Sequence, residues 1–321
     1  MATNYDSFLA QQGARLRHKL DASKGFLFEN LTRQIITQLA SDVYDETRWA
    51  SEQLISTRTD AQAGKAAIEW YRKRHVKAPG NGFAGDHGPF PMASLEVDPT
   101  IVPLHSVYNG YTFTMQQAEA WQAQGFSQDL PSALAEASSH DWHLNVDAAW
   151  RDGVSGVFEG VLDIPGSLQL TAGSSGTTAA WATTATPDQI CDSFTAVRMA
   201  IDNAGPGLKP DTVVFPSTIA GKLLAPRYAI GGPSIKQWLE ESFPEITLWV
   251  YDRGMNTGGL DGDAAMLMYD RRPTTLWAWM PKRMEPFAEK IEHASLEQVF
   301  WTRLSGPICE YPKSIARLSG I

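Results

Sequence analysis

Few residues in this 321-residue chain are spaced as a catalytic or binding site would require. The segment GNGFAG (80–85) has the glycine spacing of a nucleotide-binding loop. Such a loop needs a helix directly after it, because the helix N-terminus holds the phosphates. The DHGPFP that follows contains two prolines and a glycine, which forbid that helix. We therefore interpret 80–85 as the flexible tip of a hairpin and predict no cofactor site there.

Two further fragments have the spacing of metal ligands. His140 and His143 are three residues apart on a predicted helix, where both imidazoles would share a face, but no third ligand accompanies them. Asp261 and Asp263 open like a calcium loop, but the later ligands and the terminal glutamate are missing. A polar helix face and a turn before a strand explain these residues, so the sequence predicts no metal site.

Patterns typical of nucleophilic catalysis do not occur in the sequence. It has neither a G-x-S-x-G segment nor a P-loop. Its two cysteines, Cys191 and Cys309, lie far apart with no plausible partner histidine nearby. They predict free thiols in a reducing compartment and no disulfide framework. With no catalytic, cofactor-binding or metal residue predicted, the sequence argues against an enzyme and against a cofactor.

The charge of the chain restricts its partners. A formal net charge of −9 argues against a protein whose role is to grip nucleic acid, although a container could still face it. No apolar run reaches the roughly 18 residues that span a bilayer, so no membrane partner is predicted. A solvated surface is the default interpretation of the two basic clusters, which are Arg15, Arg17, His18 and Lys19, and Arg72, Lys73, Arg74, His75 and Lys77.

The composition is that of an ordinary globular protein except for its eleven tryptophans. Tryptophan anchors many buried protein–protein contacts. The excess therefore indicates either large contact surfaces or an aromatic core.

The first half of the chain alternates between helical and extended segments. Residues 1–56 are predicted to be helical, because apolar residues recur at helical spacing between Phe28 and Val43. Residues 57–113 favour strands on either side of a Gly/Pro-rich tip. These strands are charged and alternate poorly, so we expect an excursion that cannot form a core alone and must lie on a neighbour, in this chain or in another.

Helix returns between Met115 and Asp152, with Thr114 and Gln117 forming a capping-box pattern and Pro131 dividing the helix in two. A glycine-rich stretch follows, and from Pro187 helices and short strands alternate. The run AAMLMYD (264–270) predicts a strand buried on both faces. The tail mixes strands and turns.

This order of parts resembles the major capsid proteins of tailed bacteriophages, the Hong Kong 97 type, and in particular a bacterial and prophage branch of that family. The resemblance runs from about residue 55 to the end. Four segments in the right order carry it: YNGYTFTMQQAEAW (108–121), VFEGVLDIPG (157–166), KPDTVVFPSTIAGKL (209–223) and ICEYPKSIARLSGI (308–321).

The resemblance implies an α+β fold, the phage major capsid fold. Tryptophan-rich surface and a β excursion without its own core would then share one cause, since both stay incomplete until neighbouring subunits arrive. The implied parts are an N-terminal helical arm (1–56), an extended β-hairpin or E-loop (57–113), the spine helix with the first part of the peripheral domain (114–185), an axial α/β domain (186–280) and the end of the peripheral domain (281–321).

The implied function is that of a major capsid protein, which self-assembles through hexamers and pentamers into the icosahedral head shell around phage DNA. Expected partners are other copies of the chain, scaffolding, portal and decoration proteins, and double-stranded DNA faced non-specifically. The expected location is the virion, after assembly in the cytoplasm of the bacterial host.

Two alternatives remain at this point. Encapsulin-type bacterial nanocompartments use the same fold to enclose enzymes, but their arms are usually much shorter than the 56 residues here. The other alternative is an enzyme with an unrecognised α/β site. Electron microscopy separates them, because it distinguishes shells with DNA, shells with protein cargo and no shells.

Overall fold

The computed structural model describes residues 48–49, 54–60, 64–76, 94–123, 130–172, 181, 185–205, 207–227, 232–292 and 295–321. Within them the chain mixes helices and strands and divides into two compact units. Two predicted features lie outside the described residues: the helical stripe between residues 28 and 43 and the segment GNGFAG.

The described helices and strands are numbered here in chain order. The strands are β1 (Ser56–Arg58), β2 (Ala67–Val76), β3 (Ser94–Pro103), β4 (His105–Thr114), β5 (Gly153–Val154), β6 (Phe158–Glu159), β7 (Leu168–Thr171), β8 (Thr212–Pro216), β9 (Leu248–Asp252), β10 (Ala265–Tyr269), β11 (Leu276–Trp279), β12 (Lys282–Glu292), β13 (Ser295–Leu304), β14 (Ile308–Cys309) and β15 (Ile315–Ser319). The helices are α1 (Met115–Ala123), α2 (Leu130–Asp152), α3 (Pro187–Ala204), α4 (Ala220–Leu223) and α5 (Ile235–Ser242).

The larger unit is built around a five-stranded sheet of order β7-β15-β10-β8-β9. The strands β8, β10 and β15 are buried at every residue. A strand covered on both faces needs apolar residues at consecutive positions instead of an alternating pattern. The prediction of a doubly covered strand at 264–270 is therefore confirmed by β10.

One face of this sheet packs against α3. Pro187 occupies the first turn of the helix, and Thr186 and Gln189 form a complete capping box. The buried stripe of α3 includes Ile190 and Phe194, which share a core with alternate residues of β8, β10 and β15. The other set of alternate residues faces a second core, because successive side chains of a strand point to opposite faces.

This second core joins the sheet to the end of α2 and to a thin sheet of order β1-β11-β14. Trp150 at the end of α2 is fully buried and donates from Nε1 to the Ser305 carbonyl oxygen at 3.0 Å. Along β11, Leu276 and Ala278 point into the same core. The two sheets are therefore held by one apolar interior.

The five-stranded sheet contains strands from outside the predicted axial range of 186–280. β15 pairs with β10 in antiparallel register and with β7 in parallel register. Within the sheet, the Arg317 side chain of β15 bonds the Gln169 Oε1 at 2.7 Å and the Asp163 Oδ1 at 3.1 Å. The tail therefore completes this sheet, a pairing across more than 140 residues of chain that local patterns do not encode.

The predicted excursion of 57–113 is shorter than expected. β2 and β3 pair along their whole length as an antiparallel hairpin, from Ala67 opposite Pro103 to Val76 opposite Ser94. β4 leaves this hairpin and lies beside β13 in a sheet of order β12-β13-β4. β1 pairs instead with β11, so the hairpin comprises only 67–103.

The described part of the smaller unit comprises 109–123, 130–141, 286–292 and 295–300. Its α1 begins with the predicted capping box, in which Thr114 and Gln117 each accept a hydrogen bond from the backbone N–H of the other. Asn109 donates from Nδ2 to the Ser138 carbonyl oxygen at 2.6 Å. This bond fastens β4 to α2.

Close backbone contact inside the smaller unit predicts a sensitive glycine. A Cβ atom on Gly110 would lie 2.4 Å from the Gln298 carbonyl oxygen of β13, too close for any real contact. We expect Gly110→Ala to lower the free energy of unfolding by about 1–3 kcal/mol through overpacking. Chemical denaturation measures the effect, and Gly64→Ala is the control because no atom lies within 4 Å of its added Cβ. Equal stability of the two variants would contradict the packing of β4 on β13.

Candidate assembly surface

The histidines and aspartates that have the spacing of metal ligands are engaged in ordinary packing and turn contacts. His140 and His143 are half-buried on α2, and the ring of Trp142 meets that of His143 edge-on at 4.6 Å. Asp263 accepts a backbone bond from the Gly259 N–H at 2.7 Å, within a turn before β10. Among the described residues, no group of three or more histidine, cysteine or acidic side chains could hold a metal ion.

Both cysteines keep their thiols, and neither forms a disulfide. Cys191 is buried beside Phe194 in the core under α3, and burial raises the pKa of its thiol to about 11. The basic cluster near residue 15 lies outside the described residues. In the second cluster, Arg72–His75 belong to β2, but their side chains and Lys77 are also outside the described part.

The hairpin of β2 and β3 has an inner face that packs against its own subunit. Ile68 and Trp70 contact a small core that also contains Val102. The floor of this core is made by Trp277 and Trp279, the alternate residues of β11 that point away from the main core. The Trp70 ring meets the Trp277 ring edge-on at 5.0 Å and the Trp279 ring at 6.2 Å. We call Trp277 and Trp279 the tryptophan seat.

Arg58 lies against both the seat and the hairpin. Its Cζ is 3.9 Å from the centroid of the Trp277 ring and 5.3 Å from that of the Trp70 ring. Its Nη2 donates to the Pro273 carbonyl oxygen at 2.8 Å. Cation–π contacts of this kind contribute about 0.5–2 kcal/mol, more when the cation is desolvated.

The outer face of the hairpin base is exposed and mostly apolar. Ile101 is 72% exposed and Tyr71 is 52% exposed. Opposite them across the ribbon lie Glu69 and Pro99, also exposed. Glu69 hydrogen-bonds the Tyr71 hydroxyl and thereby raises the pKa of Tyr71, so the only charge among these four residues is already engaged. We call these residues the outer face.

The chain segment before the hairpin is anchored firmly in the larger unit. Trp49 is fully buried and donates from Nε1 to Asp252 Oδ2 at 2.8 Å. The Leu54 carbonyl oxygen accepts a bond from the Tyr269 hydroxyl at 2.6 Å, and burial raises the pKa of Tyr269 well above its usual value. Trp49, Leu54 and Ile55 are therefore held in the core of the larger unit.

Comparison with known families identifies the protein family of this chain. The family model described as Major capsid protein matches residues 80–321, three quarters of the chain. The chain belongs to the major capsid protein family. The family resemblance drawn from the four sequence segments is therefore confirmed.

Solved capsid structures share the fold of this capsid protein. The capsid of Myoviridae phage XM1 superposes with a TM-score of 0.73 at 13% identity, covering 87% of this chain and 94% of that one. The capsid of the native GTA particle gives 0.60 at 15% identity, covering 86% and 91%. Mycobacterium phage Bobi gives 0.60 at 12% identity, covering 86% and 92%. No curated protein matches the sequence.

The family assignment makes the chain a structural, non-enzymatic protein that forms a capsid, as the sequence predicted. It also favours a viral capsid over the encapsulin alternative. The α+β capsid fold expected from the resemblance is confirmed by the same comparisons. No helix in the described part of the capsid protein is long and apolar enough to cross a membrane.

One expectation about the tryptophans was wrong. All eleven lie within the described residues, and none is exposed. Trp49, Trp150, Trp181 and Trp277 are fully buried in the single subunit. The aromatic excess therefore builds cores and the tryptophan seat, whereas the exposed outer face uses Tyr71 and Ile101. The sequence signal that would have found the seat is LWAW (276–279), in which two indoles alternate with two small or aliphatic core residues.

Burial of Cys191 predicts low thiol reactivity and a specific pH dependence. Its pKa, raised from 9.0 to about 11, reduces the thiolate fraction at pH 8 by about 100-fold. We expect iodoacetamide at pH 8 to leave Cys191 unmodified in the folded protein and to modify it after unfolding, as read by peptide mass spectrometry.

The same shift destabilises the folded state at high pH. The stability contribution of the protonated thiol is complete below pH 9 and is lost between pH 9 and about 11, because the unfolded chain ionises first. Cys191→Ala, which lacks this group, should lose less stability than the unchanged protein over that interval. Parallel pH profiles for both proteins, or ready alkylation of the folded one, would contradict the burial.

Proposed function

We propose that this capsid protein assembles through hexamers and pentamers into a closed icosahedral shell that encloses double-stranded phage DNA. The observation that carries the proposal is the two-faced hairpin base. Its inner face packs against the tryptophan seat of the same subunit, and its outer face is exposed. An exposed apolar face on a member of a shell-forming family fits contact with a second copy of the chain.

The expectation that the whole excursion folds onto a neighbour becomes a proposal about one face. An isolated two-stranded ribbon is marginally stable, so the hairpin needs support. The seat supplies that support at the base through Trp70 and Val102. A neighbouring subunit would then cover Tyr71, Pro99 and Ile101. Burial of the Ile101 side chain alone would stabilise the contact by up to about 1.5–3 kcal/mol.

The arrangement of domains in the shell follows from the family resemblance. The axial domain, proposed at 186–280, would meet its copies around the local symmetry axes through head-to-tail contacts that close into rings. The capsid of the native GTA particle, which shares the fold, was computed with C5 symmetry, and this supports five-fold vertices. Because β7 and β15 pair in the same sheet as β8 to β10, the proposed axial domain would also include these two strands.

The remaining parts of the proposal concern names and partners. The N-terminal arm would be 1–56, the spine helix with the first part of the peripheral domain 114–185, and the end of the peripheral domain 281–321. Scaffolding, portal and decoration proteins would join the shell during assembly in the host cytoplasm. The net charge of −9 fits a wall that faces packaged DNA without specific recognition.

The outer face gives a direct test by substitution. Ile101→Asp places a charge on a residue that is 72% exposed in the subunit, so the fold should melt at an unchanged temperature. Between subunits, the same charge would be buried without a partner, at a cost of several kcal/mol for every contact. We expect closed particles to disappear from electron micrographs and soluble subunits or small oligomers to accumulate in sedimentation.

Ile101→Val is the matched control, because it keeps an apolar side chain at the same position and should still assemble. If Ile101→Asp forms normal particles, the outer face is not an interface between copies. If the unchanged protein forms no closed shells under any assembly condition, the proposed function itself is wrong.

A further inference from the structure

The hairpin forms no backbone hydrogen bonds with any other described sheet, although β3 continues through Leu104 directly into β4. β2 and β3 hydrogen-bond only to each other along their paired length, and their sheet has two strands. At the base, one bond from the Leu104 N–H to the Ala66 carbonyl oxygen closes the ribbon on itself. Among the described residues, the angle between hairpin and body is therefore set by the link through Leu104 and by side-chain contacts at the base.

Arg58 contacts both the hairpin and the thin sheet on which the hairpin lies. Its backbone is part of the thin sheet, since the Met280 N–H donates to the Arg58 carbonyl oxygen at 2.9 Å and Arg58 pairs with Trp279. Its guanidinium lies over Trp277 of the seat and within cation–π distance of Trp70 of the hairpin. The bond to the Pro273 carbonyl oxygen limits the rotation of that guanidinium.

A second contact fixes the seat itself. Trp279 donates from Nε1 to Asp60 Oδ1 at 2.9 Å, so the residues after β1 hold the outer ring of the seat in place. The rings of Trp277 and Trp279 meet edge-on at 4.4 Å. The whole seat is thus oriented by the segment that leads into the hairpin.

We infer that Arg58 is a positioning residue that fixes the angle of the hairpin before assembly, by joining Trp70 of the hairpin to Trp277 of the body. This inference rests on the proposed function, in which the outer face meets a second copy of the chain. A hairpin held at one angle presents Tyr71 and Ile101 in the orientation that the neighbour requires. Preorganisation of this kind lowers the ordering entropy lost on association.

The test measures the angle in the unassembled subunit. Spin labels are attached at Glu69→Cys on the hairpin and Asp192→Cys on α3, both exposed, in a background of Cys191→Ala and Cys309→Ser. Pulsed electron paramagnetic resonance should give one narrow distance peak for this labelled protein. With Arg58→Ala added, we expect loss of that single peak and a broad distribution, while the melting temperature falls by no more than a few degrees.

Arg227→Ala is the matched control, since Arg227 lies over the Trp238 ring at 4.0 Å, away from the seat. It should leave the narrow peak intact. Trp70→Ala removes the hairpin residue that Arg58 contacts, so it should broaden the distance distribution as Arg58→Ala does. If Arg58→Ala fails to fold, the Trp70→Ala variant decides the test. In the unlabelled protein, Arg58→Ala should also produce open or irregular particles where the unchanged protein closes shells.

A narrow peak shared by Arg58→Ala and the unchanged protein would overturn the inference, and so would equal broadening by Arg227→Ala. The distance measurement needs no assembly. If the unchanged protein forms no shells, the proposed function fails while the role of Arg58 in the subunit is still decided.

Discussion

The proposed assembly surface depends on how the β2-β3 hairpin, which forms no backbone hydrogen bonds with another described sheet, is held to its own subunit. Within the described part of the chain, β2 and β3 form backbone hydrogen bonds only with each other, so beyond the link through Leu104 the contacts that orient them are side-chain contacts at the base. β11 makes this arrangement work because it uses both of its faces. Leu276 and Ala278 close the main core, while Trp277 and Trp279 support the hairpin on the opposite side.

The use of both faces of β11 explains where the large aromatic residues lie. Large aromatic side chains bury much apolar area each, and the two indoles of β11 contact Trp70 on the inner face of the hairpin. The outer face has a different requirement, because it must remain exposed in a free subunit without causing uncontrolled association. It therefore carries two large apolar residues beside the engaged carboxylate of Glu69.

Features encoded locally could be predicted from the sequence. The capping boxes at Thr114 and Thr186 and the apolar run of β10 each depend on residues a few positions apart. Pairing between distant segments could not be predicted in this way. β4, like β3, contains β-favouring residues, and nothing within it specifies β13 as its partner instead of β2.

The candidate surface was only partly accessible to sequence reasoning. The capsid prediction came from the resemblance of four segments to a known family, and the family match confirms it. The division of the hairpin into an inner and an outer face was missed. Alternation in IEWY (68–71) is visible, but only the structure shows that Trp70 faces the seat and Tyr71 faces solvent.

The measurement that tests this account most directly is a cryo-electron microscopy reconstruction of the assembled particle at side-chain resolution. The account predicts a closed icosahedral shell in which Trp70 remains on the tryptophan seat of its own subunit. In the same map, Tyr71 and Ile101 should be covered by a neighbouring copy. A shell in which the outer face remains open to solvent, or in which the hairpin leaves its own seat to pack on another subunit, would contradict it.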